Sequence, residues 1–158
     1  MIVLGVDPGS HATGYGVIDT GPVLRMVAGG VIRPGTKLPL PERLLAMFEG
    51  LTLVIREHDP HAMVIEDLFN AKNARSSLIL GHARGVLMLA GAGAGLPVHE
   101  YAPRDIKQAL TGNGAAAKEQ VRFMVMRMLG LKDEPPLDQS DALAAALAFA
   151  GRRRTFSG

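Results

Sequence analysis

Apolar residues in this chain change their spacing part-way along. Residues 2–7, 14–19 and 24–33 carry short β-branched or apolar runs separated by glycine-rich turns, the pattern of three strands close enough in sequence to pair as an antiparallel meander. Leu44, Phe48, Leu51 and Ile55 then repeat at helical spacing and predict a helix from about Pro41 to His58, after which "HAMVIED" at 61–67 predicts a second buried strand. An apolar helix from about Ala74 to Ala92 follows, then a short strand at "PVHEY" and a helix opening at Pro103. Two more helices, from about Ala117 to Leu129 and from about Asp138 to Gly151, complete the pattern. A meander followed by strand–helix alternation describes an α/β fold: a mixed five-stranded sheet, three antiparallel strands plus two parallel ones, with helices on both faces. No repeat or interdomain linker interrupts it, so residues 1–151 are expected to form one domain and residues 152–158, "RRRTFSG", a short basic tail expected to be disordered.

Bulk composition narrows the classes only a little. With 158 residues, 47% of them hydrophobic and 20% charged, the chain can bury a real core. The absence of cysteine excludes disulfides and thiolate metal sites. No export signal and no run of about 18 uninterrupted apolar residues is visible, so no membrane partner is expected and the cytoplasm is the default location. A net charge of +2 is too small to argue by itself for a polyanionic partner. What matters is where the charges lie.

Three acidic features stand at the ends of elements. Asp7 closes the first predicted strand, Glu66 closes "AMVIE", and Asp138 and Asp141 lie three apart at the start of the last helix, where i and i+3 share a face. In open sheets, sites form at the carboxyl ends of strands. If the strands ending at Asp7 and Glu66 are parallel neighbours, their carboxylates enter one crevice, and up to four carboxylates from three segments can meet there. Like charges so close raise one another's pKa and call for a cation, and oxygen-only ligands suit a hard one such as Mg²⁺ or Mn²⁺. Each feature also has a local alternative. Asp7-Pro8-Gly9-Ser10 can form an Asx-type turn, Asp138 and Asp141 can cap a helix, and Glu66 can pair with a basic residue elsewhere.

The stretches "LGVDPGSHATGYGVI", "IEDLFNAKNARSSLILGHARGV", "EYAPRDIKQALTGNGAAAKEQV" and "DQSDALAAALA" resemble, in order and across nearly the whole chain to about residue 150, the RuvC-type Holliday junction resolvases. That resemblance implies the ribonuclease H-like fold. It also implies a structure-selective endonuclease of homologous recombination and DNA repair, resolving four-way junctions by paired, metal-dependent phosphodiester hydrolysis to 5′-phosphate and 3′-hydroxyl ends. Residue by residue it makes Asp7, Glu66, Asp138 and Asp141 catalytic metal ligands for two Mg²⁺ ions about 3.5 to 4 Å apart, with Mn²⁺ able to substitute. Lys107 and Lys118 match family lysines near the scissile phosphate, implying catalytic and DNA-binding roles; otherwise each is a solvated surface lysine. Phe69, in "FNAKNARSS", reads as a stacking surface flanked by Asn70, Lys72, Asn73 and Arg75 as phosphate contacts, the alternative being a Phe folded into the core. "TGNGAAAK" reads as a flexible turn able to bring backbone amides to a phosphate.

Asp67 departs from the family pattern, and strand alternation sends it to the face opposite Glu66, outside the metal site. The five histidines lack ligand spacing and read as structural or surface residues, although His11, in the first turn, could approach DNA. The apolar helix 74–92 has more apolar surface than one sheet can cover, and Gly81 and Gly85 would let a second helix approach or ease packing on the chain's own sheet, so a two-fold homodimer is expected. The resemblance implies four-way junction DNA and the branch-migration proteins RuvA and RuvB as partners. Two other functions compete: an ATP-binding protein of the actin and sugar-kinase group, which needs two such domains, and a junction-binding scaffold that does not cut.

Overall fold

The computed structural model describes residues 1–67 and 73–156, with side chains described to Arg153. Five strands, β1 (Ile2–Asp7), β2 (Thr13–Asp19), β3 (Arg25–Ile32), β4 (Ala62–Glu66) and β5 (Val98–Tyr101), form one sheet in the order β3-β2-β1-β4-β5. β1, β2 and β3 pair antiparallel, whereas β4 runs parallel to both β1 and β5. The meander plus two parallel strands is the architecture expected from the change in apolar spacing.

Strand alternation divides the core into two layers. On one face Leu4, Val6, Val17, Met63 and Ile65 pack under α1 (Leu40–His58) and α2 (Ala74–Gly93). On the other, Val3, Ile18, Ala62 and Val64 pack under α3 (Pro103–Thr111), α4 (Lys118–Leu129) and α5 (Leu137–Phe156). Asp7 continues the series Val3, Gly5, and Glu66 continues Ala62, Val64, so both carboxylates fall on the face covered by α5.

α5 is buried without interruption from Ala142 to Ala150, which explains its lack of a polar stripe: the sheet covers one side, α3 and α4 the others. Its alanines keep the helix thin, and glycines in the sheet let it come close. A Cβ at Gly5 would stand 1.9 Å from the Ala142 carbonyl oxygen, and one at Gly14 would stand 1.9 Å from that of Asp138. Both strands therefore need glycine for α5 to lie where it does. That close approach carries the first turn of α5 to the end of β1.

The last helix is longer than its apolar spacing predicts. Helix α5 runs on through Arg152 and Arg153 to Phe156, past the end expected near Gly151. Tertiary contacts sustain the extra turn, since the Arg152 guanidinium lies 3.3 Å from Asp105 on α3 and over the Tyr101 ring at 4.5 Å.

Candidate active site

A pocket of about 280 Å³ opens at the carboxyl ends of β1 and β4. Asp7, Glu66, Asp138 and Asp141 line it, with Lys107 from α3 and Lys118 from α4, over a floor that includes Ile106, Val121 and Ala144. Four segments thus converge on it: two parallel strand ends, the first turn of α5, and the α3–α4 pair. Helix α5 begins at Leu137 behind Pro136, so neither Asp138 nor Asp141 stands at the N-cap; both project into the pocket instead.

The electrostatics are those of crowded acids in a partly dry site. Burial pushes the Asp7 carboxyl up to about 9, reinforced by the charges of Glu66, Asp141 and Asp138. Burial likewise raises Glu66, with the charge of Asp141 adding to it, and raises Asp141 against the opposing pull of Lys118. Lys118, whose Nζ lies 3.4 Å from Asp141 Oδ2, is itself raised, chiefly by that carboxylate. Among the described residues no three acidic or histidine side chains already form a closed coordination sphere; the four carboxylates stand around a cavity. An oxygen-only donor set whose members resist simultaneous ionisation fits a hard divalent cation, which would relieve their repulsion.

A family model for the crossover junction endodeoxyribonuclease RuvC matches residues 3–149. The chain belongs to the RuvC family. RuvC of Stutzerimonas stutzeri is 50% identical over 98% of this chain and 88% of its own, and RuvC of Desulforamulus reducens is 46% identical over 100% and 98%. Thermus thermophilus RuvC solved in complex with Holliday junction substrate superposes with a TM-score of 0.92 at 36% identity, covering 99% of this chain and 97% of that one. The yeast mitochondrial Holliday junction resolvase Ydc2, at 10% identity and a TM-score of 0.72, shares the fold. Membership makes this chain an endodeoxyribonuclease, a hydrolase of phosphodiester bonds.

The other candidate residues of this RuvC chain divide. Lys107 and Lys118 lie at the pocket. Asn73 and Arg75 do not; they open α2, where Asn73 is the N-cap, its Oδ1 accepting from the Ser76 amide at 2.9 Å, and Arg75 is exposed. Phe69, Asn70 and Lys72 lie outside the described residues.

Several amides of the turn between α3 and α4 are engaged locally. Thr111 Oγ1 accepts from the Asn113 amide, Gln108 Oε1 from that of Gly114, and Asn113 Oδ1 from that of Ala115. His11 turns its Nδ1 to Arg43 Nη1 at 3.0 Å.

Two features were not readable in advance. Arg84, in the middle of α2, pairs with Asp67 at 3.4 Å and with Glu100, and donates from Nε to the Glu66 carbonyl at 3.4 Å. Its one sequence signal is a cation in the apolar middle of that helix. The second is which way α2 faces. Leu87 is fully buried with Ala83 and Ala90, whereas Leu78 and Leu89 are 64% and 62% exposed, so Leu87 is a core residue and not part of a free apolar face. A Cβ at Gly81 or Gly85 would meet nothing within 4 Å, which overturns the idea that these glycines ease packing on the chain's own sheet. Among the described residues no helix is long and apolar enough to cross a membrane.

Proposed function

We propose that this chain resolves four-way DNA junctions by paired, metal-dependent phosphodiester hydrolysis that leaves 5′-phosphate and 3′-hydroxyl ends, in homologous recombination and DNA repair. The observation that carries this reading is the convergence of Asp7, Glu66, Asp138 and Asp141 with two lysines at one pocket, in a chain 36% identical to a relative solved with Holliday junction substrate. Asp7, Glu66, Asp138 and Asp141 would hold the cations, Mg²⁺ with Mn²⁺ as substitute and two per site. Bound there, divalent ions supply a water nucleophile at neutral pH and charge stabilisation at the leaving oxygen.

The chain's own groups divide the remaining work. Burial and mutual repulsion keep the carboxylates ready to exchange protons for metal. Lys118 offsets the charge of Asp141 and, with Lys107, offers the only ammonium groups that the described residues bring to the pocket wall, placed to meet a phosphate oxygen. The pocket adjoins a cleft of about 600 Å³ that shares Pro103 and Lys107 with it and also exposes Arg104, giving a basic path along which a strand can run. Phe69 and Lys72, with Arg75 beside the start of α2, are proposed DNA contacts.

Two-fold pairing through α2 would set two such pockets against two strands of like polarity. Leu78, Gly81, His82, Gly85 and Leu89 form an exposed stripe opposite the buried Ala83 and Leu87, and its glycines are open to a second helix. Branch-migration proteins of the RuvA and RuvB kind are the further partners proposed, and the cytoplasm the place of action.

One experiment tests the whole reading. A labelled four-way junction and a linear duplex of the same sequence are incubated with the protein in Mg²⁺ and in EDTA. Symmetric nicks on the junction alone, in Mg²⁺ alone, are expected; cutting that persists in EDTA, or equal cutting of the duplex, would overturn it.

A further inference from the structure

The catalytic end of the sheet carries acids on both faces, and a different counter-charge serves each. On the α5 face stand Asp7 and Glu66. On the opposite face, beneath α2, stand Asp67, following Ile65, and Glu100, following Val98. Arg84 reaches them from α2 and is only 18% exposed. Its Nη2 lies 3.4 Å from Asp67 Oδ1 and also pairs with Glu100 Oε2, while its Nε donates to the main-chain oxygen of Glu66 at 3.4 Å. From the neighbouring strand, the Asp67 amide donates to the Tyr101 oxygen at 2.8 Å. The peptide that carries Glu66 is thus held from behind by a helix and from the side by a strand.

We propose that Arg84 is the positioning residue for Glu66: its guanidinium ties the end of β4 to α2 and β5 and so sets the direction in which the Glu66 carboxylate meets the divalent cation. The proposal rests on the metal-holding role given to Glu66 above. It depends on the shape of the guanidinium as well as its charge. A planar fork with donors on separate nitrogens can serve a carbonyl and two carboxylates at once; a lysine ammonium is a single point and cannot span them. Without the fork, Asp67 and Glu100 would face each other half-covered and uncompensated, and would push the ends of β4 and β5 apart.

The test uses Arg84→Gln, Arg84→Lys and Glu100→Gln in the full chain. Three quantities are measured: the Mg²⁺ concentration giving half the maximal rise in melting temperature without DNA, the single-turnover cutting rate on a four-way junction, and junction affinity in EDTA. Both Arg84 variants should need about tenfold more Mg²⁺ and cut about tenfold more slowly, as removal of a group orienting a metal ligand does, with junction affinity unchanged. Glu100→Gln, on an exposed side chain, should shift the Mg²⁺ curve the same way by less. Wild-type Mg²⁺ curves in Arg84→Lys, or an altered junction affinity with an unmoved Mg²⁺ curve in Arg84→Gln, would overturn the proposal. So would a wild-type melting temperature that ignores Mg²⁺. Should the Arg84 variants not fold, an unshifted curve in Glu100→Gln overturns it equally. Because the Mg²⁺ curve is read without DNA, a wild type that binds Mg²⁺ but leaves junctions whole refutes the proposed function while Arg84 is still decided.

Discussion

Asp7 at the end of β1 and Glu66 at the end of β4 face one pocket across the parallel seam of the sheet. Burial and the neighbouring charge of Glu66 hold the Asp7 carboxyl well above the usual carboxylate range. The arrangement links stability to pH and to divalent ions. In the unfolded chain Asp7 returns to an ordinary carboxyl near 3.8, whereas in the fold it is pushed up to about 9. Between those values the folded state binds more protons than the unfolded one, so this group's stabilising contribution is full below the lower value and is lost as pH rises toward the higher. In EDTA the melting temperature should therefore fall between about pH 5 and about pH 8 by more than in Asp7→Asn, and Mg²⁺ should abolish that difference. Calorimetric scans at several pH values check it; equal slopes in wild type and Asp7→Asn would contradict the raised Asp7 carboxyl.

Neutralising a single ligand should separate binding from cutting. Asp7→Asn or Asp141→Asn is expected to lower metal-dependent cleavage by orders of magnitude while leaving junction affinity equal or higher, because a negative charge facing phosphate is gone. Gel-shift titration beside single-turnover cleavage reads both, and full cleavage by both variants would remove the carboxylates from the chemistry.

The lysines should show themselves through salt. Lys107→Ala and Lys118→Ala should each slow cutting and flatten the dependence of log affinity on log salt by about one unit, the signature of one lost phosphate contact. For Lys118 a second effect follows from its 3.4 Å contact with Asp141: without the ammonium, Asp141 loses the main influence lowering its pKa. The acidic limb of the cleavage–pH profile should accordingly move upward in Lys118→Ala.

Gly14→Ala tests the architecture that delivers α5 to the site. The added Cβ would sit 1.9 Å from the Asp138 carbonyl oxygen, a backbone atom that cannot step aside alone. A loss of roughly 1–3 kcal/mol of stability is expected, together with a cleavage defect larger than that loss explains, because Asp138 and Asp141 ride on the displaced turn. Urea unfolding and cleavage at low temperature separate the two.

The exposed stripe of α2 should be the dimer contact. Wild type should sediment at twice the 16.7 kDa chain mass and Leu89→Glu as a folded monomer. Leu87→Glu should instead unfold, since that side chain is fully buried. A folded wild-type monomer that makes paired cuts would dispose of the dimer.

Much of this protein is written locally. The switch from strand spacing to helical spacing, the turns, and the position of Asp7 and Glu66 at strand ends all depend on residues a few places apart, so the mixed sheet and the acidic segments could be read from the chain alone. Strand alternation even put Glu66 and Asp67 on opposite faces before any packing was known. What tertiary structure decided are choices that local pattern leaves equal. Helix α2 is apolar around most of its circumference, and only the sheet beneath determined that Leu87 goes in while Leu89 stays out. The extra turn of α5 exists because Asp105 and Tyr101, distant in sequence, receive Arg152. Arg84 found Asp67 and Glu100 across two elements. In each case the partner lies far along the chain, and its free energy enters only once the backbone has brought the two together.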